Sequence, residues 1–183
     1  MIPKRDILKA LLEERPVQTV ESLKEEFYEP SIAELRSSKL FECVDLDDAS
    51  IEDFSSYFIF PRDGRSLRVN EGYDKGYYKG RGLALYLSIW HPIAVYGAMS
   101  ASTGPHHASS ERLGPETVQT LPSPDWADIE RALMEILLRH SITVMTREEA
   151  AAPLTSLGLP PPAESNTTND TDRVFFALFN NAY

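Results

Sequence analysis

Three groups of residues are of a type and spacing that could do chemistry. The run Gly72-Tyr73-Asp74-Lys75-Gly76-Tyr77-Tyr78-Lys79-Gly80-Arg81-Gly82 alternates glycine with aromatic and cationic side chains. Glycine lets a main chain approach a phosphate, and Lys or Arg can neutralise it. The Walker spacing is absent, however, and Gly80-x-Gly82 lacks the third glycine of a dinucleotide fingerprint. The residues after Gly82 read as a strand, so no helix N-terminus is at hand to hold an anion. A twisted, glycine-bent entry into a sheet fits the run better, with its tyrosines free to serve a partner surface.

The histidines form the second group. His106 and His107 are adjacent and point to opposite sides of an extended chain, whereas metal ligands converge at helical or turn spacings. His140 falls near a helix C-terminus, where the dipole favours an imidazolium, and His91 reads as a turn residue. Nucleophiles are the third group. The lone Cys43 has acidic neighbours that disfavour a thiolate, and no Gly-x-Ser-x-Gly elbow is present. Glu71 and Asp74, three residues apart in a loop, define no acid–base separation. No catalytic residue, metal site or cofactor is assigned on this basis. The alternative reading is a small enzyme or ligand-binding protein using the Gly72–Gly82 segment and the His106/His107 loop.

Hydrophobic periodicity indicates what must position these residues. Residues 4–14 carry Ile7, Leu8, Leu11 and Leu12 on one helical face, and Pro16 stops the pattern. Val20, Leu23 and Phe27 before Pro30, then Ile32 and Leu35 after it, predict two more short helices, making residues 1–41 helical. Glu42 to Asp53 is acidic without one Lys or Arg and reads as a solvated connection. Tyr57–Phe60 predicts a strand that turns at Asp63-Gly64 into a second strand near Leu67–Val69, as a hairpin. Leu83–Trp90 and Ile93–Ser100 alternate with period two about His91-Pro92, predicting a second antiparallel hairpin within a β-rich core over 55–100.

Residues 100–124 lack a period and read as a long loop. Asp125 reads as the cap of a helix whose inner stripe is Trp126, Ile129, Leu133, Ile136, Leu137 and His140. Ile142–Met145 predicts a short strand, Thr146 with Glu149 a capping box, and Val174–Phe179 a closing strand, so that 125–183 supplies a helix and a C-terminal strand. The expected fold is a single α+β domain: a mainly antiparallel sheet with helices packed largely on one face.

Composition narrows the partner classes. A chain of 183 residues fits one domain, and 18 basic against 28 acidic side chains leave a net charge of −10 at pH 7. That charge repels nucleic acid and anionic lipid alike. No apolar run approaches a membrane span, and the interrupted N-terminal pattern has no signal-peptide shape. With a single Cys in addition, a cytoplasmic location is expected.

Tyr57-Phe58-Ile59-Phe60-Pro61, Leu67-Arg68-Val69, Gly72-Tyr73-Asp74, Tyr78, Gly82 to Ser88, Tyr96-Gly97 and Val174 to Phe179 together resemble the immunity proteins of polymorphic and contact-dependent bacterial toxin systems. The resemblance spans roughly residues 55–180 and rests on aromatic strand patterns. It implies a cytoplasmic protein that binds a cognate, basic toxin and neutralises it by stoichiometric occlusion. On that reading Asp45, Asp47, Asp48, Glu52 and Asp53 supply electrostatic attraction, and Tyr73, Tyr77 and Tyr78 supply contact area.

Overall fold

The computed structural model describes residues 8–9, 13, 19–46, 54–65, 67–68, 78–104, 107–110, 112–159 and 173–179. Of the helix expected over 4–14, Leu8, Lys9 and Glu13 are helical and Leu8 is buried, while the rest lies outside the described residues. Helix α1 (Val20–Leu23) is capped by Thr19, whose hydroxyl accepts from the Ser22 N–H at 3.2 Å. A π turn over Lys24–Tyr28 joins it to α2 (Glu29–Arg36).

Pro30 therefore ends no helix. It stands in the first turn of α2, where a missing N–H is least costly. The Glu29 N–H reaches back to the Lys24 carbonyl, five residues away instead of four. The extra residue turns the following side chains by about 100°. The inner face consequently carries Leu23, Tyr28, Ile32 and Leu35, and the expected Phe27 is only partly covered.

The sheet comprises β1 (Phe41–Asp45), β2 (Phe54–Pro61), β3 (Leu67–Arg68), β4 (Tyr78–Ser88), β5 (Ile93–Gly104) and β6 (His107–Ser110). Helix α3 (Ala127–Arg139), β7 (Thr143–Val144), α4 (Arg147–Ala151) and α5 (Val174–Phe179) come after it in the chain. Its order is β1-β2-β4-β5-β6, antiparallel throughout, with β3 beside β4 and β7 parallel to the start of β5. The fold is α+β, and among the described residues no helix is long and apolar enough to cross a membrane.

Several expectations are corrected. The acidic connection begins inside a strand, because Phe41 and Cys43 alternate inward between Glu42 and Val44. β3 pairs with β4 and not with β2, so the Asp63-Gly64 turn closes no hairpin. The first part of the supposed 100–124 loop is sheet: β5 runs on to Gly104 and folds back as β6. Period-two reasoning depends on apolar side chains, and Ser100 to Ser110 has almost none. The closing apolar run is a helix; six residues cannot be told apart by period, and a helix satisfies its own main chain without a free sheet edge. Finally, a 3₁₀ turn over Pro124–Trp126 precedes α3, so Asp125 is not its cap.

Register identifies the two faces. Tyr96 on β5 donates to Glu130 Oε1 of α3 at 2.5 Å. Its cross-strand neighbours Leu85, Tyr57 and Asp45 therefore share the face covered by α2 and α3. Onto this face α3 turns Ile129, Leu133, Ile136 and Leu137, all buried, each contributing about 1.5–3 kcal/mol of transfer free energy. The opposite face carries Phe58, Phe60, Tyr86, Val95 and Met99, also buried. It is covered by the segment after β6, where the Leu113 N–H donates to the Tyr86 hydroxyl, and by α5, whose Leu178 carbonyl accepts from Ser88 Oγ. The helices are thus divided between the faces. Gly97 permits the cover: a Cβ there would collide with the Thr117 carbonyl and the Leu113 side chain.

At the β4–β5 turn, the buried Tyr28 hydroxyl lies 2.5 Å from both the Ser88 and the His91 carbonyl oxygens. Ser88 Oγ also accepts from the Trp90 N–H at 3.2 Å. Tyr28→Phe should destabilise the protein by about 1–3 kcal/mol by removing this shared donor. Urea unfolding with an unchanged m-value checks it, and a midpoint equal to the parent's would deny Tyr28 this role.

Candidate functional site

Of the expected partner-binding residues, only Asp45 and Tyr78 are among the described residues. Asp45 closes β1 with its side chain exposed, and Arg36 Nη2 lies 2.8 and 2.7 Å from its two carboxylate oxygens. Asp47, Asp48, Glu52, Asp53, Tyr73 and Tyr77 lie outside the described residues. Tyr78 is the first residue of β4, opposite Thr103. Asp45 is level with Leu85 through Tyr57, so Tyr78 stands seven residues farther along, roughly 23 Å at about 3.3 Å per residue. Asp45 and Tyr78 thus mark two places along the sheet.

The other singled-out residues are also distributed. Gly80 and Gly82 lie within β4. Gly82 admits the Phe58 ring, which a Cβ would strike. His106 lies outside the described residues, and His107 begins β6 opposite Gly104. His91 is buried in the β4–β5 turn. His140 Nε2 lies 2.8 Å from Glu34, which also takes Arg139, so this histidine joins the end of α3 to α2. The hydrogen bond from His140 is the main cause holding the Glu34 carboxyl below its ordinary range. Among the described residues no three His, Cys, Asp or Glu side chains gather as metal ligands would. Burial pushes the Cys43 thiol up to about 12, with Asp45 adding to the effect against Arg36, so the thiol is no nucleophile.

Arg65 gathers three carboxylates after β2. Its Nη2 lies 3.1 Å from Asp128 and its Nε 3.2 Å from Asp63, with Asp125 at 4.0 Å. Its Nη1 also donates to the Asp125 carbonyl at 2.7 Å. The turn after β2 is thereby fastened to the start of α3.

A pocket of about 440 Å³ opens between the segment after β6, α4 and the start of α5. Gly114, Glu116, Arg147, Ala151, Arg173 and Phe176 line it. The Glu116 carbonyl accepts from Arg147 Nε at 2.8 Å and also from Arg147 Nη2. Arg173 Nη1 donates to the Ala151 carbonyl. Gln119 Oε1 accepts from the Arg147 N–H at 3.4 Å, while the Gln119 N–H donates to the Tyr96 carbonyl at 2.7 Å from a φ of 56°, in the left-handed region. Val118 bridges Gly97 of β5. The sequence contains no signal for this grouping, because residues 114–116, 147–151 and 173–176 belong to three separate elements. No family model, curated protein or solved structure matches the chain.

Cys43 and Asp128 can each be checked in solution. Cys43 should react with a thiol reagent near pH 8 no faster than the protein unfolds; prompt stoichiometric labelling of folded protein would contradict its burial. Asp128 is held below the usual carboxylate range chiefly by the Arg65 hydrogen bond. A carboxyl depressed in the folded state contributes stability fully above its unfolded pKa of about 3.9 and loses it as pH falls through the folded value. Arg65→Gln should therefore lower the thermal midpoint slightly at neutral pH, with the gap to the parent narrowing in acid. A gap independent of pH would exclude this linkage.

Proposed function

We propose that the protein acts by stoichiometric association with a basic protein, as an immunity-type inhibitor that occludes a cognate toxin. The observation that carries this reading is the position of Asp45 at the end of the terminal strand, from which the acidic run to Asp53 departs. Among the described residues no strand pairs with the outer side of β1, whose alternate main-chain groups face away from β2. An extended basic segment can add there, with main-chain hydrogen bonds for affinity and charge for approach. Arg36 and Arg62 already neutralise Asp45 and Glu42. The net attraction therefore falls to Asp47, Asp48, Glu52 and Asp53, and the total charge of −10 favours the same class of partner. Tyr73, Tyr77 and Tyr78 would enlarge the contact. A cytoplasmic site of action accords with this role.

Capture from a lysate of the native cells at low salt should return one basic protein at equal stoichiometry, released by high salt. Expression of that protein alone should arrest growth, and co-expression of this chain should restore it. The quadruple variant D47K/D48K/E52K/D53K, which leaves the Arg36–Asp45 pair intact, should slow association at least about tenfold and flatten its salt dependence. A captured protein that is harmless when expressed alone would overturn the immunity reading. Unchanged association kinetics in the variant would remove the acidic run from it.

A further inference from the structure

We propose that the pocket between Gly114–Glu116, α4 and the start of α5 binds a small monoanion, a single carboxylate carried on a flat apolar body. The proposal is independent of the partner-binding reading, since none of the described lining residues belongs to β1 or to the acidic run.

Charge is the first argument. Arg147 and Arg173 both line the pocket, and among the described residues the hydrogen-bond acceptors of their side chains are main-chain carbonyls, not carboxylates. In a chain with 28 acidic and 18 basic side chains, two guanidinium groups on the lining of one pocket offer a local positive field against the overall charge. A carbonyl fixes the side chain yet leaves its charge uncompensated.

Donor geometry is the second. A guanidinium has five N–H donors in a planar fork. Arg147 uses its Nε and Nη2 side on the Glu116 carbonyl, leaving the end formed by its two terminal nitrogens. Arg173 uses Nη1, leaving the Nε and Nη2 side. Each retains a two-donor edge of the kind that matches the two oxygens of a carboxylate.

Shape and net charge select among anions. A volume of about 440 Å³ lies within the range of small-molecule sites, about 300–1,000 Å³. Phe176, half-buried, and Ala151 supply an apolar wall on which a flat body can rest. Among the described lining residues Glu116 brings the formal charge to +1, which a monoanion neutralises and a phosphate dianion exceeds. Arg147 and Arg173 are each already fixed by their carbonyl acceptors, so the site is largely formed in advance.

The test titrates the isotopically labelled full chain with benzoate, phenyl phosphate and benzylamine and follows amide and arginine Nε–H resonances. Benzoate should give saturable shifts at Gly114, Arg147, Arg173 and Phe176, phenyl phosphate weaker ones, and benzylamine none. Arg147→Gln and Arg173→Gln should each weaken benzoate at least about tenfold, the loss of one charge-assisted pair. Arg147→Lys, which keeps charge but loses the fork, should fall between. Spectra of the β4–β5 amides report whether each variant remains folded, and the titration of the unaltered chain decides by itself if one does not. Absence of saturable benzoate shifts, preference for phenyl phosphate or benzylamine, or undiminished binding in both folded Gln variants would overturn the proposal.

Discussion

The β4–β5 hairpin is apolar on both of its faces, and the remaining elements are arranged by the need to keep water from each. Leu83, Leu85 and Leu87 face one way, Ala84 and Tyr86 the other, and all five are buried. A sheet with one wet face would need polar residues at every second position. Here α2 and α3 close one side, while the segment from Leu113 to Leu121 and the short α5 close the other. Gly97 makes the second closure possible by letting the Thr117 main chain lie against β5. A layer of side chains at that point would hold the segment away from the sheet and leave Tyr86 and Met99 wet.

Polar groups caught inside this arrangement are used as fasteners. The Tyr28 hydroxyl serves the carbonyls at the mouth of the hairpin, and Ser88 Oγ joins the same turn to the Leu178 carbonyl of α5. One site thus ties the N-terminal helices, the central hairpin and the C-terminal helix. Burial raises the Tyr28 phenol pKa well above its ordinary value, which keeps its donor hydrogen in place across the working pH range. Outside the core, Glu34 with Arg139 and His140, and Arg65 with its three aspartates, connect neighbouring elements through exposed ion pairs. Such pairs select orientation more than they add stability.

Elements whose character depends on side-chain period are legible in the sequence. The two runs about His91-Pro92, the stripe of α3 and the Thr146–Glu149 capping box all appear where the residues indicate. The failures have a common cause: a pattern of side chains is blind to main-chain bookkeeping. The π turn adds one residue between Leu23 and Tyr28, which no count of apolar positions reveals. The β5–β6 hairpin is built from Ser, Thr and Ala, so it bears no alternation, and α5 is too short for helix and strand periods to differ. The site residues are still less legible. The arginine pocket joins side chains far apart in sequence, and Asp45 proves to be partnered by Arg36 and distant from Tyr78.

The pairing of Ala152 and Pro153 with Arg173 and Val174 carries a further consequence. The Val174 N–H donates to the Ala152 carbonyl at 3.0 Å, and Pro153 bridges Arg173. The two ends of the interval that follows are thereby held side by side, with Leu154 and Leu157, just past the first of them, buried in the core. Closure entropy grows only logarithmically with the length of chain between fixed ends. Beyond Leu159, descendants of this sequence can therefore gain residues, or accept a grafted peptide, at small entropic cost while the paired ends and the core keep their register.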